Sequence, residues 1–298
     1  MKIVKKIVKN AMPYYFAKKH LYRFSKDPFV PGGYYSPLPS MDEIKKFNFD
    51  APLPENIPGI DLNSNEQLEL LNSFETFYNE LPFSDEKSAD LRYYYNNDFY
   101  AYCDAIMLYC MIRHLKPKKI IEVGSGFSSS VTLDTNEIFM NNSIECVFIE
   151  PYPQRLISLL TDKDKKNVKI HQKRLQDIPL EIFEELKEND ILFIDSTHVC
   201  KLNSYVNYII HSILPVLSHG VHIHFHDVFY PFEYPKDWLY AGRAWNEQYI
   251  LRAFLQYNNN FKIVFFNSYI QKMYEAEIKS RYPSLFKWRG ASIWLKKI

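Results

Sequence analysis

Glycine is scarce in this sequence, with eight in 298 residues, well under the usual share of about 7%. That excludes collagen-like and glycine-linker architectures, and it makes each retained glycine a candidate for a turn or a close approach. Cysteine is also sparse: Cys103, Cys110, Cys146 and Cys200 form no CxxC pair. Neither a disulfide scaffold nor a zinc ribbon fits, and reduced, buried thiols in a cytoplasmic protein are expected. No apolar run approaches the roughly 18 residues of a membrane span, and there is no continuous apolar core of a signal peptide. Charge of one sign is lacking too, at a net +1. The balance hides an asymmetry, because residues 1–26 carry Lys2, Lys5, Lys6, Lys9, Lys18, Lys19, Arg23 and Lys26 and no acid. The remainder is therefore mildly acidic, which argues against a nucleic-acid partner.

What is present is apolar and aromatic, at 47% and 16%, ample for a core. Three regions are expected: a basic amphipathic tail over 1–26, a Pro-rich connector with a helical extension over 27–90, and an α/β domain over 91–298. In "MKIVKKIVKNAM" the apolar residues recur at a helical period against a lysine face, and Pro13 stops the pattern. Two readings stay open for it: a helix on an anionic membrane surface, or one docked on the body or a partner. Seven of the seventeen prolines fall in 28–58, an irregular connector. Helices are expected over about 65–81 and 99–114.

From 118 onward, apolar runs at 119–124, 145–150, 167–172, 190–195, 220–227, 261–266 and 291–296 alternate with helical stretches at 153–161, 180–187, 203–217 and 245–257. The pattern predicts a doubly wound, seven-stranded, mostly parallel sheet. Ligands of such sheets sit at the carboxyl ends of the strands. Those ends read Glu122, Glu150, Asp195 and His226-Asp227.

"IIEVGSGFSSS" (120–130) runs a strand into a glycine turn and a helix start. Gly124 tightens the turn, Gly126 leaves room for a ligand, and the serines after it cap a helix that favours an anion. Glu150, at the next strand end, suits ribose hydroxyls. A dinucleotide dehydrogenase shares these features, but the third glycine of its fingerprint is replaced by Ser129.

Taken together, residues 118–298 resemble the class I S-adenosylmethionine-dependent methyltransferases. "EVGSG" looks like their first motif, Glu150 their ribose acid, and "LQDIP" (175–179) their adenine loop with Asp177. The resemblance implies a cofactor site of Glu122, Gly124, Ser125, Gly126, Ser128, Glu150, Asp177 and Asp195. More narrowly, "LFIDSTH", "IHFHDVFYPFEYP" and "WNEQYIL" resemble a bacterial branch near metal-dependent O-methyltransferases and cephalosporin-hydroxylase-like proteins, often found near surface-polysaccharide pathways. That implies O-methylation of a sugar or glycan precursor and a divalent metal, Mg²⁺ or Mn²⁺, on Asp195, His226 and Asp227. A catalytic set of Asp195, His198, His226 and Asp227 follows, with His198 as a fourth ligand or general base.

His222 and His224, inside the same strand, are expected to be structural. The aromatic loop that follows supplies Tyr230, Tyr234, Trp238, Arg243, Trp245 and Glu247 as candidates for substrate binding, and lid packing explains its aromatics equally well. Two other classes remain open at this level: a non-catalytic, membrane-associated subunit of a glycan-assembly complex, and an NAD-dependent oxidoreductase.

Overall fold

Each apolar run from residue 119 onward finds a neighbour, and the seven strands form one sheet. A computed structural model describes residues 32–298. The strands are β1 (Lys119–Val123), β2 (Glu145–Ile149), β3 (Lys169–His171), β4 (Ile191–Ile194), β5 (His222–His226), β6 (Phe261–Phe266) and β7 (Ser292–Lys297), in the order β3-β2-β1-β4-β5-β7-β6. Pairing is parallel from β3 through β5, and β7 alone runs against its neighbours. The chain builds outward from β1 to β3 and then returns to lay β4 on β1's other side. The carboxyl ends of β1 and β4 therefore flank the point where strand order reverses, the usual ligand crevice of such sheets.

Strands β4 and β5 are buried along their whole length, so no in-out alternation is needed in their sequence. Four helices matter below: α1 (Ser64–Ser73), α2 (Tyr102–Leu115), α3 (Phe127–Phe139) and α4 (Glu247–Leu255). Helix α2 buries Tyr102 through Ile112 without a break and ends at Lys116, a left-handed cap whose N–H reaches the Ile112 carbonyl. Pro117 then prevents continuation.

Two expected helices are interrupted. The one over 65–81 breaks at Phe74, whose N–H turns back to Leu71 O at 3.0 Å, leaving Ser64–Ser73 and Glu75–Asn79. The one over 203–217 carries a π turn at Ile209–Ile213. Pro215, which has no N–H to donate, lies just beyond that wide turn.

The described chain divides into two compact units. The larger, residues 53–233 and 245–298, contains the sheet; the smaller joins residues 32–52 to Tyr234–Ala244. This division falls elsewhere than the expected boundaries at 26 and 90. Within the smaller unit, Ser40 and Glu43 exchange hydrogen bonds across the first turn of helix Met41–Lys46, a capping box. Residues 1–31, with the expected amphipathic tail, lie outside the described residues. Cys103, Cys110 and Cys146 are buried, Cys200 is half-buried, and all four are free thiols. No described helix is long and apolar enough to cross a membrane.

Candidate active site

The turn after β1 is built by close contact. Gly124 has φ +83°, and a Cβ on it would stand 1.7 Å from the Asp195 carbonyl oxygen. Its N–H donates to Ile149 O at 3.0 Å, while Asp195 N–H donates to Val123 O at 2.9 Å. One glycine thus lets the ends of β1, β2 and β4 converge. Gly126 is extended at φ −174°, a conformation open to any residue. Its N–H donates to Ser129 Oγ at 3.0 Å, opening helix α3.

Behind this turn Glu122 is fully buried and accepts Ser128 Oγ at 2.6 Å and Ser129 Oγ at 2.9 Å on one oxygen. Burial pushes its carboxyl up to about 8 against the two serine hydrogen bonds, so Glu122 is protonated at neutral pH. Glu150 accepts Ser125 N–H at 3.3 Å and Tyr152 N–H at 2.8 Å. Asp177 is exposed, and Arg174 forks onto its two oxygens at 3.0 Å each.

A second constellation stands at the ends of β4 and β5. Asp195, His198 and Asp227 each offer one ligand atom, and the three atoms lie within 4.8 Å of one another. His198 Nε2 is 3.4 Å from Asp195 Oδ1 and 3.5 Å from Asp227 Oδ2. Its Nδ1 meets Glu247 Oε2 at 2.8 Å, and Glu247 is 2% exposed. His198 and Asp227 both hold positive φ, 53° and 57°, a conformation costly enough to mark functional sites.

The loop carrying His198 is latched to the start of α4. Asn246 and Glu247 N–H both donate to His198 O, at 3.0 and 3.1 Å, and Cys200 N–H donates to Asn246 Oδ1 at 2.6 Å. Trp245 lays its ring 4.4 Å from the imidazole. Burial lowers the His198 pKa, but hydrogen bonds to Asp195 and Glu247 and the charges of Glu247 and Asp227 outweigh it, and the net shift is well upward. Asp195 is pushed up by burial and drawn down further by His226 and His198, ending below the usual carboxylate range. For Asp227 burial prevails over the same two histidines, and its carboxyl is raised.

His226 is placed differently from the expected ligand set. Its Nε2 is 3.6 Å from Asp227 Oδ1, its Nδ1 is buried with no partner among the described residues, and its ring lies 5.1 Å from that of Tyr100. The three groups that converge are Asp195, His198 and Asp227. His224 stacks on Phe193 at 4.1 Å and 11° and meets Trp294 edge-on; both its nitrogens lack partners among the described residues, and burial keeps it neutral.

Among the loop candidates, Tyr230 is a correction. Its side chain is fully buried and its hydroxyl donates to Pro54 O, so it packs the body and has no surface for a substrate. Glu247, expected as pocket wall, is instead the partner of His198. Tyr234, Trp238 and Arg243 belong to the smaller unit, where Tyr234 and Trp238 stack and the Arg243 guanidinium lies 4.0 Å over Trp238. The Glu247–His198 pair escaped sequence reasoning because 49 positions separate the two.

A methyltransferase-domain family profile matches residues 121–228, from β1 to the end of β5, and so includes the glycine turn, Glu150, Asp195 and Asp227. An uncharacterised protein of Archaeoglobus fulgidus is 35% identical over 171 residues, covering 55% of this chain and 76% of that protein. The β1–β5 segment of this chain is a methyltransferase domain. Among solved structures, the methyltransferase is similar to an apo form of CmcI, at 16% identity over 83% of this chain and 88% of that one, with a TM-score of 0.42. It is also similar to PaMTH1 of Podospora anserina bound to S-adenosylhomocysteine, at 15% identity, 83% and 100% coverage and a TM-score of 0.42. Likeness this distant decides neither acceptor nor metal.

The residues present fit the cofactor. Ser125 Oγ and Ser196 Oγ, on either side of the Gly124 turn, are buried with no partner among the described residues, as is Gln176 Oε1 on the loop expected to hold adenine. Buried polar atoms need partners, and a nucleoside with ribose hydroxyls and an amino-acid tail offers them.

Proposed function

We propose that the methyltransferase methylates a hydroxyl oxygen, with a sugar or surface-glycan precursor as acceptor and with metal assistance. The observation that carries the reading is the Asp195–His198–Asp227 cluster, held by Glu247 beside the glycine turn. An alcohol oxygen is a weak nucleophile until its proton is taken up, and this cluster is where a proton can go. In the transfer, the acceptor oxygen bonds to the methyl carbon as the carbon–sulfur bond breaks, and the sulfonium becomes a neutral thioether.

The acids around His198 favour its protonated form, which leaves a carboxylate oxygen as the acceptor for the new proton; with a cation held there, Nε2 would be a neutral ligand instead. Asp227, whose carboxyl burial raises, is a stronger base than Asp195. Glu247 fixes the imidazole so that Nε2 faces both acids, and Trp245 offers an apolar face beside it, suited to the carbon face of a sugar ring.

Two carboxylates and one imidazole nitrogen also form a donor set for a divalent cation, with the nitrogen favouring Mn²⁺ over Mg²⁺. Asp195, His198 and Asp227 would hold it; when bound, it supplies Lewis acidity to the hydroxyl. We assign the protein to the cytoplasm, with residues 1–26 resting on the inner membrane face near lipid-linked acceptors, on the strength of their lysine-faced amphipathic pattern.

The test is S-adenosylhomocysteine release on incubation with nucleotide sugars, glycans and lipid-linked intermediates, with and without chelation. Asp227→Asn is expected to lose about 100-fold or more in turnover, a loss typical of a positioned proton acceptor, with cofactor binding intact. Wild-type turnover in that variant, or methyl found on nitrogen or carbon, overturns the reading.

A further inference from the structure

The backbone at Gly126 is extended and does not itself require glycine, yet the space in front of it is taken. A Cβ there would stand 3.3 Å from Arg155 Cδ and 4.0 Å from Arg155 Nη1. The missing side chain thus makes room for the stem of an arginine. Arg155 reaches the turn from the short helix Gln154–Leu159, five residues past Glu150 at the end of β2.

Aromatic rings hold the guanidinium at the turn. Its central carbon lies 3.7 Å from the centroid of the Phe99 ring. Phe99 stacks on Phe127, the first residue of α3, at 5.9 Å and 11°, and Tyr94 meets Phe127 edge-on at 5.6 Å. A guanidinium laid flat on a ring keeps its N–H donors directed outward along its edge. Arg155 makes no ion pair or side-chain hydrogen bond among the described residues. The acids nearby are engaged elsewhere. Glu150 receives Ser125 and Tyr152 N–H, and Glu122 lies buried behind the turn under the Ser128 and Ser129 hydroxyls. Next to Gly126, Ser125 is 9% exposed, and its Oγ has no partner among the described residues. One side of the turn therefore carries a fixed cation without an anion, beside an unused hydroxyl.

We infer that Arg155 is the counter-charge for the carboxylate on the amino-acid tail of the cofactor. S-adenosylmethionine and S-adenosylhomocysteine each have a single anionic group, that carboxylate. A tail laid along Ser125 and Gly126 brings it to the guanidinium edge, whose paired N–H groups match two carboxylate oxygens. The Ser125 hydroxyl is a further donor within the same turn. Phe99 acts as a positioning residue, keeping the guanidinium over the glycine. The inference rests on the cofactor reading and assigns one end of that cofactor to a residue outside the glycine turn itself.

Calorimetry on the full chain tests it with two ligands, S-adenosylhomocysteine and its decarboxylated analogue S-adenosyl-3-thiopropylamine. The analogue keeps the nucleoside, the thioether and the amine and loses only the carboxylate. The protein is expected to bind it about tenfold or more weakly than S-adenosylhomocysteine, a difference of about 1.4 kcal/mol. Arg155→Met, which keeps the stem beside Gly126, should weaken S-adenosylhomocysteine by a similar factor. The same variant should bind the analogue as well as the unaltered protein does, or better, which also establishes that it is folded. Equal affinity of the unaltered protein for the two ligands overturns the inference. So does undiminished S-adenosylhomocysteine binding in Arg155→Met. A variant that weakens both ligands alike would make Arg155 a packing residue of the turn, and also overturns it. Failure of the unaltered protein to bind S-adenosylhomocysteine at all would instead overturn the cofactor reading, and the inference with it.

Discussion

Gly124 shows how much one residue can carry. Its positive φ and the 1.7 Å approach a Cβ would make to Asp195 O are independent obstacles to any side chain. Gly124→Ala should therefore push β1 and β4 apart at their carboxyl ends, lowering the melting temperature and weakening S-adenosylhomocysteine binding at least about tenfold, since Ala at φ > 0 is strained in its own right. A variant with wild-type melting and affinity would show that the strand ends tolerate separation. Glu247 acts at one remove, through His198 Nδ1. Removing a group that orients a functional histidine typically costs about 10–100-fold. Glu247→Gln should lower kcat by that factor while KM and cofactor affinity hold; an unchanged kcat would make the contact merely structural.

At the scale of elements, β5 carries two kinds of histidine on one face. His226 leads toward Asp195 and Asp227, whereas His224 is enclosed by Phe193 and Trp294 and His222 lies beside Lys296 at the other end of the strand. Burial, with Lys296 and His114 nearby, lowers the His222 pKa to about 4. In the unfolded chain the same group titrates near 6.5. The unfolded state therefore binds the extra proton first, and stability contributed by neutral His222 is present above about 6.5 and lost as pH falls toward 4. His222→Gln should flatten that part of the stability–pH curve, as followed by thermal melts from pH 7 to 4, with little change in turnover.

A different element contact secures the segment before α2. Arg92 pairs with Asp134, Glu137 and Asp164, each at 2.7 Å, and Asp134 is fully buried with its carboxyl pushed up by that burial. Arg92→Ala strands Asp134 without a counter-charge and should cost about 3–5 kcal/mol in denaturant unfolding. A loss under about 1 kcal/mol would place the cluster with weak surface pairs.

For the whole molecule, cofactor and fold are linked by mass action. A ligand that binds only the folded state at one hundred times its Kd adds about 2.7 kcal/mol, so S-adenosylhomocysteine should raise the melting temperature, whereas NAD should not. The reverse outcome would reopen the dehydrogenase reading. Residues 1–26 should confer binding to liposomes that requires anionic lipid and weakens with salt. If their removal lowers the melting temperature and leaves liposome partition unchanged, the tail docks on protein instead.

How much of this was legible follows from the range of each interaction. Strand runs, the glycine turn and the acids at strand ends repeat at short, fixed intervals, so backbone geometry alone makes them readable. Sequence thereby determined the seven strands, the crevice at Gly124 and the placement of Asp195 and Asp227 at adjacent strand ends. It missed helix breaks at Phe74 and Ile209–Ile213, where local turns compete within a continuous pattern. It also left Tyr230 open between a substrate surface and lid packing, because an aromatic in a long loop reads alike whether buried or exposed. Only the tertiary structure decided that His198 reaches both acids from Nε2 while Glu247 holds its Nδ1, with His226 beside Asp227. Those contacts depend on where a loop after β4 and the start of α4 meet, and side chains 49 positions apart leave no periodic trace.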